Sequence, residues 1–216
     1  MSHSLNEIEA MSKRAARGAG LSWGLSEEAA KGTRWLSAFG FPGTEMLAEL
    51  LVMNDRIPPI DVSPVSLSAD IWHAPTRRMS PLIAGASLSD CAVRLLERGT
   101  ITMKDVSLPL LAVPFMGGAA LRLGVPVAAE WDGARVATDG KQLCVQGDAD
   151  ALRAKHASQL VFSAPAEMAG RREPVMRAEV CESSWEQLGG FAHRTFAPAT
   201  EESRLRGAGA GVSDND

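Results

Sequence analysis

The carboxyl-terminal residues combine side chains that bind small anions. Cationic and hydroxyl side chains follow one another closely, and glycines alternate with alanines directly after them. Arginines and hydroxyl donors together can bind a carboxylate or a phosphate, and alternating Gly and Ala let successive amide N–H groups point at one anion. The alternative is a flexible acidic tail, a common fate of chain ends of this composition. The predicted ligand-binding residues are Arg194, Thr200, Ser203, Arg204, Arg206, Gly207, Gly209 and Gly211.

Two residues in or beside this segment can act as a general base. His193 directly precedes Arg194 and has an imidazole that titrates near neutral pH. Glu201 supplies a carboxylate. His193 also suits a plain structural role, as a cation at the carboxyl end of a helix. The four histidines are isolated from one another and from clustered carboxylates, so the sequence predicts no metal site and no cofactor.

A glycine-rich loop near the start of the chain is a second candidate anion site. Gly18, Gly20 and Gly24 resemble a dinucleotide-binding fingerprint, but the spacing is one residue too long and the loop follows a predicted helix instead of a strand. The loop can still bind an anion at the amino end of the next helix. The alternative is a structural loop whose glycines permit left-handed backbone angles.

Composition excludes several classes of partner. The formal net charge of −4 gives no electrostatic reason to bind nucleic acid. No stretch is apolar for long enough to span a bilayer, and the amino terminus does not resemble a secretion signal. Three widely spaced cysteines indicate neither a disulfide framework nor a zinc site. We therefore expect a cytoplasmic protein without nucleic-acid or membrane partners, with a homo-oligomer or a partner protein as open alternatives.

Helices dominate the first quarter of the sequence. Ser4 and Glu7 form a predicted capping box that begins the first helix, and Gly18 is the predicted stop. Cationic residues near its end complement the helix dipole; these are Lys13, Arg14 and Arg17. A second helix is predicted to begin at Ser26, and a short third covers 44–52.

Strands and helices then alternate irregularly. Three prolines make residues 54–64 an irregular connector and a candidate boundary within a single domain, 1–216. Residues 81–86 are predicted to form a strand. The clearest hairpin joins 125–131 to 134–138, because Asp132-Gly133 favours a tight type I′ turn. This order predicts an α+β fold, with a helical hairpin on a mixed sheet, a central β-hairpin, a C-terminal helix and an ordered tail.

Distinctive segments at both ends of the chain resemble one protein family. They are Leu5-Asn-Glu-Ile-Glu-Ala10, Ala15-Ala-Arg-Gly-Ala-Gly-Leu-Ser-Trp-Gly24, Arg194-Thr-Phe-Ala-Pro-Ala-Thr-Glu-Glu-Ser-Arg204, Gly207-Ala-Gly-Ala-Gly211 and Asp214-Asn-Asp216. The sequence is similar to a bacterial family catalogued as domain of unknown function 3726. The resemblance brings no activity, fold or ligand with it. It implies that the tail is part of the folded protein.

Two functions are compatible with these residues. The first is an enzyme or binding protein for a small anionic metabolite, a carboxylate or a phosphate, with the C-terminal segment beside residues 18–23. The second is a non-catalytic accessory subunit that docks on a partner enzyme. An exposed apolar patch around Trp23, Trp35 or Trp72 would favour the second, because large apolar patches on a monomer usually mark interfaces.

Overall fold

The computed structural model describes residues 1–196 of the 216-residue chain. Within that range the chain forms helices at one end and a mixed sheet at the other. The helices are α1 Leu5–Gly18, α2 Trp23–Ala38, α3 Gly43–Met53, α4 Pro81–Asp90, α5 Ala92–Arg98, α6 Val113–Leu123, α7 Ala149–Leu152 and α8 Glu182–His193. The strands are β1 Ser2–Ser4, β2 Ile71–Trp72, β3 Thr100–Ser107, β4 Val127–Trp131, β5 Ala134–Thr138, β6 Leu143–Gln146, β7 His156–Ser163, β8 Arg171–Arg172 and β9 Arg177–Glu179.

The larger sheet has the strand order β2-β3-β7-β4-β5-β6-β8. The β2–β3 pair is parallel and the other neighbours are antiparallel. The predicted hairpin lies at its centre as β4 and β5, and Gly133 in the turn has a φ of 77°, a left-handed angle that glycine adopts without strain. The predicted α+β class is therefore confirmed. The predicted ordered tail lies outside the described residues.

The helical layer is built around α1. This helix packs against α2 and α8, and α3 packs against α2 and α8. Helices α4 and α6 contact both α2 and strands of the larger sheet. The largest core cluster includes Leu36 and Leu47 from the helical part and Val136 and Phe162 from the sheet. The core thus connects the two layers.

The first and last strands of the described residues pair with each other. Strand β1 pairs antiparallel with β9, and the Met1 amino group donates to the Val180 carbonyl at 3.0 Å. A small cluster of buried residues, Ile8, Ala178 and Val180, seals the junction with α1. The predicted capping box is present at the start of α1, where the Ser4 hydroxyl accepts a hydrogen bond from the Glu7 amide at 3.3 Å.

Two local predictions are wrong. Helix α2 is capped by Ser22, whose hydroxyl accepts from the Leu25 amide at 3.4 Å, whereas Ser26 is buried inside the helix and donates to the Ser22 carbonyl at 2.8 Å. Residues 81–86 form the start of α4 instead of a strand. Pro81 occupies the first helical position, where its fixed φ and missing N–H are no handicap.

Candidate functional site

A concave site lies where the end of α1, the start of α2 and the end of α8 meet. We call it the cationic cavity. Its volume is about 480 Å³, within the size range of small-molecule sites. It is lined by Lys13, Arg14, Arg17, Gly18, Trp23, Arg194 and Thr195.

Arg194 is held in the wall of this cavity by three contacts. Its guanidinium donates two hydrogen bonds to Asp55, one to each carboxylate oxygen, at 2.7 and 3.1 Å. Its guanidinium carbon also lies 4.4 Å from the ring centroid of Phe191. The hydrogen bond from Arg194 lowers the pKa of Asp55, and the same bond raises the pKa of Arg194. Asp55 directly follows the capping residue of α3, so the pair links that helix end to the end of α8.

Trp23 and Arg17 form another part of the cavity wall. The Arg17 guanidinium lies 4.5 Å from the Trp23 ring centroid and donates to the Leu21 carbonyl. The Lys13 ammonium is 5.9 Å from the same ring. The Trp23 side chain nevertheless remains 66% exposed. A cation–π contact of this kind restricts both partners, so the wall presents an aromatic surface next to fixed positive charge.

The cavity carries an excess of positive charge. Lys13 is paired with Glu27 at 2.6 Å, and Arg194 with Asp55. Arg14 and Arg17 form no ion pair with any residue between 1 and 196. Each guanidinium donates one hydrogen bond to a backbone carbonyl, Arg14 to Ala10 and Arg17 to Leu21. The remaining N–H groups of both side chains can donate to a carboxylate or phosphate.

Two of the predicted site residues, His193 and Arg194, lie within the described residues. Arg194 lines the cationic cavity together with Gly18 and Trp23, residues of the loop beside which the C-terminal segment was expected. His193 is exposed, lies outside the cavity lining, and packs edge-on against Phe196 with a ring separation of 5.5 Å. The others lie outside the described residues: Thr200, Glu201, Ser203, Arg204, Arg206, Gly207, Gly209 and Gly211.

The sequence interpretation missed the binding potential of α1. Lys13, Arg14 and Arg17 were assigned only a helix-dipole role, yet Lys13 and Arg17 are one turn apart and share a face. The signal in the sequence was this spacing, followed after a short loop by Trp23. The spacing of residues within α1 could not show that Arg194, far away in sequence, lies beside Lys13, Arg17 and Trp23.

Two larger depressions have weaker claims as binding sites. One, of about 620 Å³, follows the β4–β5 hairpin, where Arg135 pairs with Glu130 at 2.9 Å. The other, of about 610 Å³, lies beside α3, where Lys155 pairs with Glu49 at 2.7 Å. Acidic side chains line both depressions, whereas the lining of the cationic cavity contains none; they are Glu130 and Asp132 in the first and Glu45, Glu49 and Glu179 in the second. No group of three or more His, Cys, Asp or Glu side chains among residues 1–196 is arranged to hold a metal ion.

The segment that forms most of this site carries the family resemblance. Residues 3–80 match the family described as protein of unknown function (DUF3726). The predicted resemblance is confirmed over these residues, which include every cavity-lining residue except Arg194 and Thr195. No curated protein matches the sequence. Among the described residues, every helix is too short or too polar to cross a bilayer.

Proposed function

We propose that the protein binds a small anionic metabolite, a carboxylate or a phosphate, in the cationic cavity. The observation that supports this is the meeting of Arg194 with Arg14 and Arg17 around one concave surface. Two of these guanidinium groups have no carboxylate partner in residues 1–196. Hydrogen bonds between charged partners are the strongest that a partly exposed site can offer.

Trp23 suggests the shape of the ligand. Its exposed ring stands beside Arg17, so a planar group of the ligand can stack on the indole while the anionic group binds the guanidinium. An anion without a planar group would bind the guanidinium but would not stack on the indole. We therefore expect a planar carboxylate to bind more tightly than inorganic phosphate of similar charge.

Calorimetric titration at low ionic strength tests the proposal. The probes are inorganic phosphate, citrate and benzoate, and Trp23 fluorescence provides a second readout. Arg17→Gln should weaken binding roughly 10- to 100-fold, the value of one hydrogen bond to a charged group. The matched control is Lys31→Gln, which removes the same charge from a lysine outside the cavity that pairs with Glu28. Equal loss in both variants, or no binding of any probe, would contradict the proposal.

Catalysis would require a base in addition to this binding. The predicted bases are His193 and Glu201, and the predicted donors Thr200, Ser203, Arg204 and Arg206 would complete the site. Deleting residues 207–216 tests whether the glycine-rich segment contributes. If that deletion leaves ligand-induced stabilisation unchanged, the C-terminal part of the prediction fails while the cationic cavity stands.

The alternative function is that of an accessory subunit on a partner enzyme. Of the three tryptophans considered for a docking patch, Trp72 is fully buried, Trp35 is partly buried and Trp23 is exposed. Exposed apolar side chains on the adjoining helices α5 and α6, Val93 and Leu121, favour this alternative. Copurification distinguishes the two functions: stoichiometric retention of another chain, reduced by Leu121→Gln, supports the subunit.

A further inference from the structure

A further cavity lies beside the α1–α2 loop. It has a volume of about 440 Å³ and is bounded by that loop, by α3 and the connector after it, and by the amino end of α4. We call it the apolar cavity. Its lining shares no residue with that of the cationic cavity. The two sites are therefore separate.

Most of the apolar cavity is lined by aliphatic side chains. Leu50, Leu51 and Leu82 are at most 2% exposed, and Leu21, Leu25 and Ile57 are among the other aliphatic residues of that surface. Aliphatic walls of this kind favour a hydrocarbon group, because each buried methylene contributes to binding through the hydrophobic effect.

Hydrogen-bond donors without acceptors gather at one end. Ser80, the capping residue of α4, is only 4% exposed, and its hydroxyl forms no hydrogen bond within residues 1–196. Pro81 has no N–H, so the amides of Leu82 and Ile83 are the first donors of this ten-residue helix. Neither amide has an acceptor in the described part of the chain. All three donors belong to residues that line the apolar cavity.

The end of α3 adds two further polar groups. The Asn54 side-chain oxygen is buried and has no hydrogen-bond partner among the described residues; rotation of the amide would present its nitrogen as a donor. Arg56 is exposed and has a left-handed φ of 61°. Both residues line the cavity, so a cation and an amide face the same space as the donors of α4.

We infer that the apolar cavity binds an aliphatic carboxylic acid, with its carboxylate at Ser80 and its hydrocarbon chain among the leucines of α2 and α3. A carboxylate accepts several hydrogen bonds at once, which matches the hydroxyl and the two amides. The partial positive charge at the amino end of α4 favours it further. A phosphate suits the site less well, because the remaining walls are apolar.

A homologous series of ligands tests the assignment. Butanoate, hexanoate and octanoate are titrated into the full-length protein by calorimetry at pH 7, with octanol as the uncharged comparison. Affinity should rise about fourfold for each added methylene. Ser80→Ala should weaken octanoate binding by about tenfold or more and leave octanol binding unchanged. Ser89→Ala on the same helix, outside the cavity, is the matched control.

A second variant addresses the hydrocarbon end. Leu25→Trp places a larger side chain in the cavity wall and should abolish octanoate binding, while inorganic phosphate and citrate still bind at the cationic cavity. Failure of all acids to bind would overturn the inference. So would equal octanoate affinity in the wild type and Ser80→Ala, or octanoate binding unaffected by Leu25→Trp.

Discussion

Gly18 touches the backbone of Phe191. A Cβ atom built on Gly18 would lie 1.7 Å from the Phe191 carbonyl oxygen, far inside any allowed contact. The end of α1 and the last turn of α8 therefore meet backbone to backbone. Because Arg194 follows Phe191 by three residues, this contact also sets the position of Arg194 in the cationic cavity.

Gly18→Ala should destabilise the protein by about 1–3 kcal/mol or more, the usual cost of an added methyl group in a tightly packed contact. It should also weaken anion binding, because α8 must shift and carry Arg194 with it. Urea unfolding and calorimetric titration measure the two effects. Gly190→Ala is the control, since a Cβ at Gly190 meets nothing within 4 Å. That change should stabilise α8 by up to about 1 kcal/mol.

The Asp55–Arg194 pair should make stability depend on pH in the acid range. The pKa of Asp55 is lowered in the folded state. Asp55 therefore stabilises the fold above its unfolded pKa of about 3.9 and loses that contribution as pH falls through its folded pKa. Melting temperatures of the wild type and Asp55→Asn should therefore differ at pH 6, and the difference should shrink as pH falls below the unfolded pKa and through the lower folded pKa.

The comparison needs a carboxylate without an ion pair. Asp90 is exposed at the end of α4 and forms no ion pair with residues 1–196. Asp90→Asn should shift the melting temperature little at either pH. If Asp55→Asn behaves like Asp90→Asn, the pair does not stabilise the fold.

Cys181 should be the most reactive of the three thiols. It is exposed at the start of α8, and its pKa is lowered by the Ser183 hydroxyl, 3.2 Å from the sulfur, and by backbone amides of Ser184 and Ser183. Cys144 is buried and Cys91 partly so. Ser183→Ala should raise the thiol pKa and slow reaction with a disulfide reagent at pH 7, by up to about tenfold for each pKa unit. A fast phase that persists in Cys181→Ser would refute this.

The capping box of α1 should contribute measurably to folding. Ser4→Ala removes the acceptor for the Glu7 amide and should lower the free energy of unfolding by about 1 kcal/mol. Asn6→Ala on the same helix turn is the comparison, because Asn6 is exposed and alanine is the better helix former. An equal loss in both variants would show that the box itself contributes nothing.

Short sequence motifs predicted the elements whose structure depends on residues close together in sequence. Ser4 with Glu7 identifies the start of α1, and Asp132-Gly133 identifies the central hairpin, because each depends on hydrogen bonds or backbone angles within a few residues. The start of α2 was misplaced because Ser22 and Ser26 are both plausible caps and only the path of the preceding loop distinguishes them. Residues 81–86 were misassigned because a short apolar run suits a buried helix as well as a strand.

The candidate sites depend on long-range contacts that the sequence does not display. Arg194 was expected to bind an anion beside residues 18–23, but its cationic neighbours Arg14 and Arg17 were not predicted as part of the site, because they lie nearly the whole described chain away. The sequence does not single out Ser80, because its unpaired hydroxyl is a property of the packing around α4. Periodicity along one helix cannot reveal such groupings, since it describes one element at a time.

The pairing of β1 with β9 determines when this protein can finish folding. During synthesis the first strand emerges long before its partner, so Ile8 stays without Ala178 and Val180 until almost all the described chain has left the ribosome. Contacts between residues so distant in sequence form slowly. The junction between β1 and the start of α1 therefore stays incomplete for most of translation, even though α1 can already pack against α2.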